Sequence, residues 1–428
     1  MSRVSDLVRN ITLADVEGAV TRDPQHLVRI QVVGGRVFAA PVALNAELRA
    51  AGWSCLRHCL AIIQDAVTAH RPADVDFVLN VADNTHAWPI LSQHARLGDP
   101  ASSAPFLVPF CARPGPRATD AREPPSAATW ARMNGTALWR GANTGKQAIL
   151  IGRWERNMRA RLTVLSRLFP NHLDAAITAW PQRHANLSLL TPFLRAGKAV
   201  PFETFRRHKY VVDVDGNVQS DRFASLLGLG NLVLKATRFA TAYTANVAEM
   251  PNVVHVAPDL SDLIEVISCL RQHDARAYTR ARAGVAAARR LVSYEALVGY
   301  WGDLLEHYAA QQTFVPAKAD GAVPASALLL LGRRTLPSNA PLAAVGGAAG
   351  GGRGGGRGGR GGVVPRRQMG APGGGRLMTD VIQQTLGRPG RDAVSFVDLS
   401  GADAVGAAAL CALPFAAWWL VRRRTNGR

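Results

Sequence analysis

Cysteine is scarce in this chain. Five occur among 428 residues, Cys55, Cys59, Cys111, Cys269 and Cys411. They make no dense disulfide framework, and no second Cys/His pair completes a zinc pattern. Cys55 and Cys59, one helical turn apart in WSCLRHCL, read as two small buried side chains rather than ligands. A secretory leader is not evident either, because Asp6, Arg9, Asp15, Glu17 and Arg22 interrupt the first thirty residues and leave no apolar core. Also missing is an intact nucleotide-hydrolase P-loop. In ALWRGANTGK, residues 137–146, only Ala142, Asn143 and Thr144 separate Gly141 from Gly145, and Gln147 follows Lys146 where a Ser or Thr should stand. The Gly/Arg run at 346–362 has no aromatic residue, which argues against an RNA binder that stacks bases.

What is present is a globular protein with something attached. A 48% apolar content over this length supplies cores for two or three domains. The net charge of +19 is uneven: from residue 321 onward fourteen Arg and four Asp give 14 − 4 = +10, leaving +9 for the first 320 residues. The folded part is thus mildly basic, as suits anionic substrates.

Hydrophobic patterning gives the class. VDFVLNV at 75–81 reads as a strand buried on both faces, 148–169 as a helix, and KYVVDVDG at 209–216 as a strand ending in an Asp-Gly turn. A helix near Ser220, strands at NLVLK and NVVHVAP, and an amphipathic helix from Ser261 to Leu270 follow, before a helical pattern from Asp274 to Gln311. Strands alternating with helices predict an α/β fold with a largely parallel sheet. Beyond about residue 315 the sequence becomes Gly/Arg-rich and cannot bury enough surface to fold. Ala404 to Val421 then runs eighteen residues without a charge before Arg422-Arg423-Arg424, the minimum for a membrane span.

In open α/β sheets ligands bind beyond the carboxyl ends of strands. Asp83, the 140–145 loop and the 216–222 turn all lie at such ends. A Gly-rich turn there brings backbone N–H groups near an anion. In DVDGNVQSDRFASLL the Asp-Gly pair makes the turn and Ser220 can cap a helix, placing Arg222 in its first turn, where a guanidinium can hold two phosphate oxygens.

Taken together, LNVAD (79–83), LWRGANTG (138–145), Arg159-Ala160-Arg161, KYVVDVDGNVQSDRFASLLGLGNLVLK (209–235) and HVAPDLSDLIEVI (255–267) resemble glycosyltransferase family 90. This is the family of the protein O-glucosyltransferases and fungal capsule-associated transferases. The resemblance implies a GT-B-like arrangement: a Rossmann-like acceptor-side domain at 1–130, a Rossmann-like UDP-sugar domain at 131–290 and a closing helix at 291–314. A low-complexity linker at 315–400 and a membrane-anchor tail at 401–428 complete the expected layout, with the Gly/Arg-rich C-terminal tail disordered.

The implied activity is inverting, metal-independent transfer of a hexose or pentose, with UDP-glucose or UDP-xylose favoured, to a hydroxyl on protein or glycan. The UDP-sugar is the donor substrate; no cofactor and no metal is implied. Asp83 matches the family's catalytic carboxylate. Arg140, Gly141, Thr144, Arg161, Asn217, Val218, Gln219, Ser220 and Arg222 form the implied UDP-sugar set. The chain departs from the glucosyltransferase branch around the base: Ala82 stands where an Arg is usual, and Asn84-Thr85 where an aromatic-Pro pair is usual. The resemblance implies the ER or Golgi lumen or membrane, and the sequons at Asn10, Asn134 and Asn186 suit that route. The alternatives are an RNA-binding protein, disfavoured by the tail's composition, and a membrane-tethered, non-catalytic protein with a degenerate transferase domain.

Overall fold

The structure, a computed structural model, describes residues 10–24, 26–40, 53–84, 86, 88–97, 106–109, 123–145, 154–182, 193–242 and 250–331. The Gly/Arg run and the 404–421 segment lie outside the described residues. Among the described residues no helix is long and apolar enough to cross a membrane.

The first half opens with α1 (Leu13–Arg22), started by a capping box in which Thr12 and Asp15 satisfy each other's backbone N–H. A hairpin follows, β1 (Leu27–Val33) and β2 (Arg36–Ala39). Its two-residue turn is Gly34-Gly35, with φ of 57° and 70°, a turn whose backbone twist matches that of the strands it joins. Then come α2 (Trp53–His70), β3 (Val75–Asn80), β4 (Leu91–Ser92), β5 (Ala95–Arg96) and β6 (Phe106–Leu107). Every residue of β3 is buried, as its mostly apolar run predicts, and the burial includes Asp76 and Asn80.

The second half contains α3 (Ala127–Arg132), β7 (Ala137–Ala142), α4 (Met158–Leu168), β8 (Leu173–Ala179) and β9 (Tyr210–Val214). It continues through α5 (Phe223–Leu227), β10 (Leu232–Ala236), β11 (Phe239–Ala240), β12 (Val253–Val256), α6 (Leu263–Gln272) and α7 (Asp274–Val292). The chain then runs through α8 (Tyr294–Ala309), β13 (Val323–Pro324) and α9 (Ala325–Leu331).

Two main sheets result, in a mixed α/β fold. The first is six-stranded in the order β13-β2-β1-β3-β4-β6, antiparallel up to β3 and parallel beyond it. The second, β12-β10-β9-β7-β8, is parallel throughout. Apolar side chains cover both faces of the second sheet, Trp139, Leu162 and Ile267 in one core and Val211, Phe223 and Val292 in another. This is the usual requirement of a parallel sheet. At its centre Asp213 and Lys235, in register on β9 and β10, form an ion pair of 2.6 Å with both side chains 0% exposed. A third, two-stranded ribbon pairs β5 with β11 and so ties the two halves together.

Three features differ from the sequence reading. The helical pattern at 274–311 is broken at Ser293, whose extended backbone ends α7 and whose Oγ accepts the Ala296 N–H to start α8. The helix expected over 148–169 is described from a 3₁₀ turn at Trp154–Arg156 into α4, capped by Asn157; residues 148–153 lie outside the described residues. Most consequentially, 315–331 is not linker. Gln31 reaches across to the Ala317 carbonyl at 2.7 Å and accepts the Ala319 N–H at 2.9 Å, β13 extends the first sheet, and Ala325 and Leu328 are buried in its core with Trp301 and Tyr308 of α8. The Cys55–Cys59 reading agrees in burial, with Cys59 in the first core and Cys55 packed against it; Cys55 is a free thiol, whereas Cys59, like Cys269, is disulfide-bonded.

A chain ended at Leu331 retains β13 and α9 and serves as the reference. One ended at Thr313, stripped of β13 and α9, should melt several degrees lower, as loss of about 1–3 kcal/mol implies; differential scanning calorimetry of the two distinguishes them.

Candidate functional site

The carboxyl ends of β3, β7 and β9 converge on a cavity of about 390 Å³ between the halves. From the first half Asp83, Gln93 and His94 line it; from the second come Gly141, Thr144, Arg159 and the 216–222 turn. Asp83 is exposed at the rim, and Asn217 Nδ2 stands 3.4 Å from its Oδ2. A second bridge runs from Gln219 Nε2 to the Gln93 carbonyl at 3.1 Å.

Most of the expected residues meet here. Asp83, Gly141, Thr144, Asn217, Val218, Gln219 and Arg222 all line the cavity. Ser220 does not line it: it is buried, with an Oγ that has no partner among the described residues. Nor does Ser220 cap a helix, because α5 starts at Phe223 with Arg222 itself at the N-cap.

Arg140 and Arg161 do not line the cavity. Arg140 Nη2 is committed to Asp174 at 2.8 Å and its Nη1 to the Trp139 and Asp174 carbonyls. Burial opposes ionisation of Asp174, but Arg140 and then Arg195 outweigh it and hold the carboxyl below its ordinary range. What Arg140 offers the cleft side is its carbonyl, which takes a hydrogen bond from Arg222 Nη1. Arg161 does not line the cavity. It lies two positions beyond Arg159 on α4, and residues i and i+2 of a helix point apart.

Arg159, outside the implied UDP-sugar set, does line the cavity. Asn157 caps α4 through the N–H groups of Arg159 and Ala160, so Arg159 sits in the first turn with its guanidinium at the strand ends. Its Nε donates to the Asp215 carbonyl at 3.0 Å, and its Nη1 to the Ala142 carbonyl at 3.0 Å and Thr144 Oγ1 at 2.5 Å. Burial, and next the nearby Arg222, push its pKa down to about 10. Two guanidinium groups thus share one cavity, an arrangement that a bound anion would relieve. The clue in the sequence was Asn157, a good N-cap, which would have started the helix late enough to favour Arg159.

The glycine-rich loop works differently from an anion cradle. The Gly145 N–H is held by Gln182 Oε1 and Asn217 Oδ1, both at 3.1 Å, and the Asn143 N–H by the Ala179 carbonyl at 3.0 Å. Close approach explains its glycines: a Cβ on Gly141 would lie 2.7 Å from Trp139 Cζ2, and one on Gly145 2.6 Å from Asn157 Nδ2. Lys146 lies outside the described residues.

The sequence matches the model of glycosyl transferase family 90 over residues 116–330, half of the chain. The chain belongs to that family. Among curated relatives, protein O-glucosyltransferase 3 of Rattus norvegicus is 27% identical over 268 residues, 58% of this chain and 49% of its own. Protein O-glucosyltransferase 2 of Danio rerio is 31% identical over 195 residues, 45% of this chain and 36% of its own. Protein O-glucosyltransferase 1 of Homo sapiens is 26% identical over 184 residues, 42% and 43% of the two chains. These matches span about half or less of each relative. Asp83 precedes the family-model match and joins Arg159 and Arg222 only through the fold.

Replacing Arg159 with Met should destabilise the protein by about 2–4 kcal/mol, since it strands two carbonyls and a hydroxyl. Arg161→Met should cost less than about 1 kcal/mol. Urea unfolding of the two variants measures the contrast.

Proposed function

We propose that this family 90 member is an inverting glycosyltransferase of GT-B-like organisation, moving a hexose or pentose from UDP to a hydroxyl on protein or glycan. UDP-glucose and UDP-xylose are the favoured donors. The observation that carries the reading is the single cavity lined from one side by Asp83 and from the other by Arg159 and Arg222. The two sheets with their separate cores on either side of that cavity support the two-domain organisation.

The chemistry requires both sides. As the bond from the anomeric carbon to the diphosphate oxygen breaks, positive charge builds on the sugar ring and negative charge on the departing UDP. Arg159 and Arg222 meet the negative charge, supplying in fixed position what a divalent cation would otherwise supply; hence the transfer is proposed to be metal-independent. Asp83 takes the proton of the acceptor hydroxyl as its oxygen bonds to the anomeric carbon. One base acting opposite the leaving group inverts the configuration, and no second carboxylate is needed. The names of the three relatives above, each a protein O-glucosyltransferase, favour glucose and a protein acceptor. The disulfide-bonded Cys59 and Cys269 suit an oxidising compartment such as the ER or Golgi lumen.

Asp83→Asn keeps the side chain's shape and should bind UDP-glucose normally while losing roughly two to four orders of magnitude in transfer rate. A near-wild-type rate of UDP release by that variant would remove Asp83 from the mechanism. Arg222→Ala should weaken UDP binding by about 2–4 kcal/mol. Calorimetric titration with UDP, run with and without EDTA, measures that loss. It also decides the metal question, since a strict magnesium or manganese requirement would contradict the reading.

A further inference from the structure

Asp83 stands on an exposed turn, yet the residues on both sides of it are held. Asn80, the last residue of β3 and 1% exposed, accepts the Ala82 N–H at 3.0 Å through Oδ1 and donates through Nδ2 to the Asn84 carbonyl at 2.7 Å and to Ser92 Oγ at 2.9 Å. His94 Nε2 meets the same Asn84 carbonyl at 2.9 Å, so that nitrogen carries a proton. From the other side Asn84 Nδ2 donates to Asp23 Oδ2 at 3.0 Å. Asp23, at the C-cap of α1, is itself held by His26 Nδ1 at 2.8 Å.

We infer that Asn84 is a positioning residue for Asp83, clamped through its carbonyl by Asn80 and His94 and through its amide by Asp23. The inference rests on the reading of Asp83 as the base. A carboxylate on an unrestrained turn would sample many orientations, and misplacement by 1 Å can cost about a hundredfold in rate. Here the backbone is fixed one residue before and one residue after the acting group, from β3, from the segment after β4 and from α1. The clamp thereby transmits the rigidity of the first sheet to a side chain that must remain in solvent to meet its acceptor.

Steady-state UDP release from UDP-glucose or UDP-xylose, whichever turns over, tests this with five proteins: wild type, Asp83→Asn, Asn84→Ala, Asp23→Ala and Asp23→Asn. Asn84→Ala should lower kcat about tenfold to a hundredfold while KM for the UDP-sugar stays within about twofold. Asp23→Ala should do the same, and Asp23→Asn, which keeps an oxygen for the Asn84 amide, should recover most of the rate. Combining Asn84→Ala with Asp23→Ala should add little, because both remove one bond. The two single variants reach that bond from opposite ends, so one that melts early is replaced by the other. Wild-type kcat in Asn84→Ala beside an inactive Asp83→Asn would overturn the clamp and leave the base in place. Equal rates for Asp23→Ala and Asp23→Asn, or losses that multiply in the double variant, would overturn it as well. An active Asp83→Asn would overturn base and clamp together.

Discussion

Arg159 is a charge taken out of water, and the cleft is arranged around satisfying it. Its guanidinium joins the end of β7 at Ala142, the residue after β9 at Asp215 and the loop at Thr144. An uncompensated buried cation would be prohibitively costly, so those acceptors must be held where they are. That requirement accounts for neighbouring choices. A Cβ on Gly216 would lie 3.0 Å from Arg159 Nη2 and 2.9 Å from Thr144 Oγ1, so the turn after β9 is glycine for want of room. Trp139 lies within 5.8 Å of the guanidinium and restricts Gly141 in the same way.

Beneath this layer a second buried charge sets the strand register. Lys235 can be neutralised only where Asp213 stands opposite it on β9, because a slip of one residue would turn its side chain to the other face. The same strand continues to Asp215, whose carboxylate accepts Thr237 Oγ1 at 2.7 Å and the Arg238 N–H at 2.7 Å. Burial raises the pKa of Asp215, and Lys235 is the largest opposing influence. Fixing Thr237 and Arg238 also fixes β11, which pairs with β5. A charge pair inside one sheet is thus connected by covalent neighbours to the joint between the halves, and so to the width of the cleft.

The sequence was informative where local chemistry decides the outcome and less so where distance does. Strands β3, β9, β10 and β12 follow from apolar runs, and Asp83 and Arg222 follow from their places at strand ends. Arg140 and Arg159 could not be separated in that way. Both are arginines beside glycine-rich or strand-end segments, and only Asp174, 34 residues beyond Arg140, shows that Arg140 is already engaged. The fold of 315–331 was hidden for a related reason: β13 and α9 are short, follow a polar stretch and are recruited by Gln31, 286 residues away from Ala317. Asn84 was visible as a departure from the family pattern, but its meaning depends on Asp23, 61 residues earlier.

The carboxylates of the structure differ in what is left for them to do. Asp76 is held by Arg29 and Gln31, Asp174 by Arg140 and Arg195, Asp213 by Lys235, and Asp215 by Thr237 and a backbone N–H. Partners of this kind occupy the lone pairs a proton would need. Two carboxylates line the cavity, Asp83 and Asp221. Asp221 adjoins Arg222 in the chain and contributes to the electrostatics of Arg159, which puts it on the side where a leaving diphosphate would be held. Asp83 comes from the opposite half and meets the neutral amide of Asn217 at 3.4 Å, a long contact that leaves its oxygens available. A base needs a held backbone and an uncommitted carboxylate together, and of these groups Asp83 alone combines them.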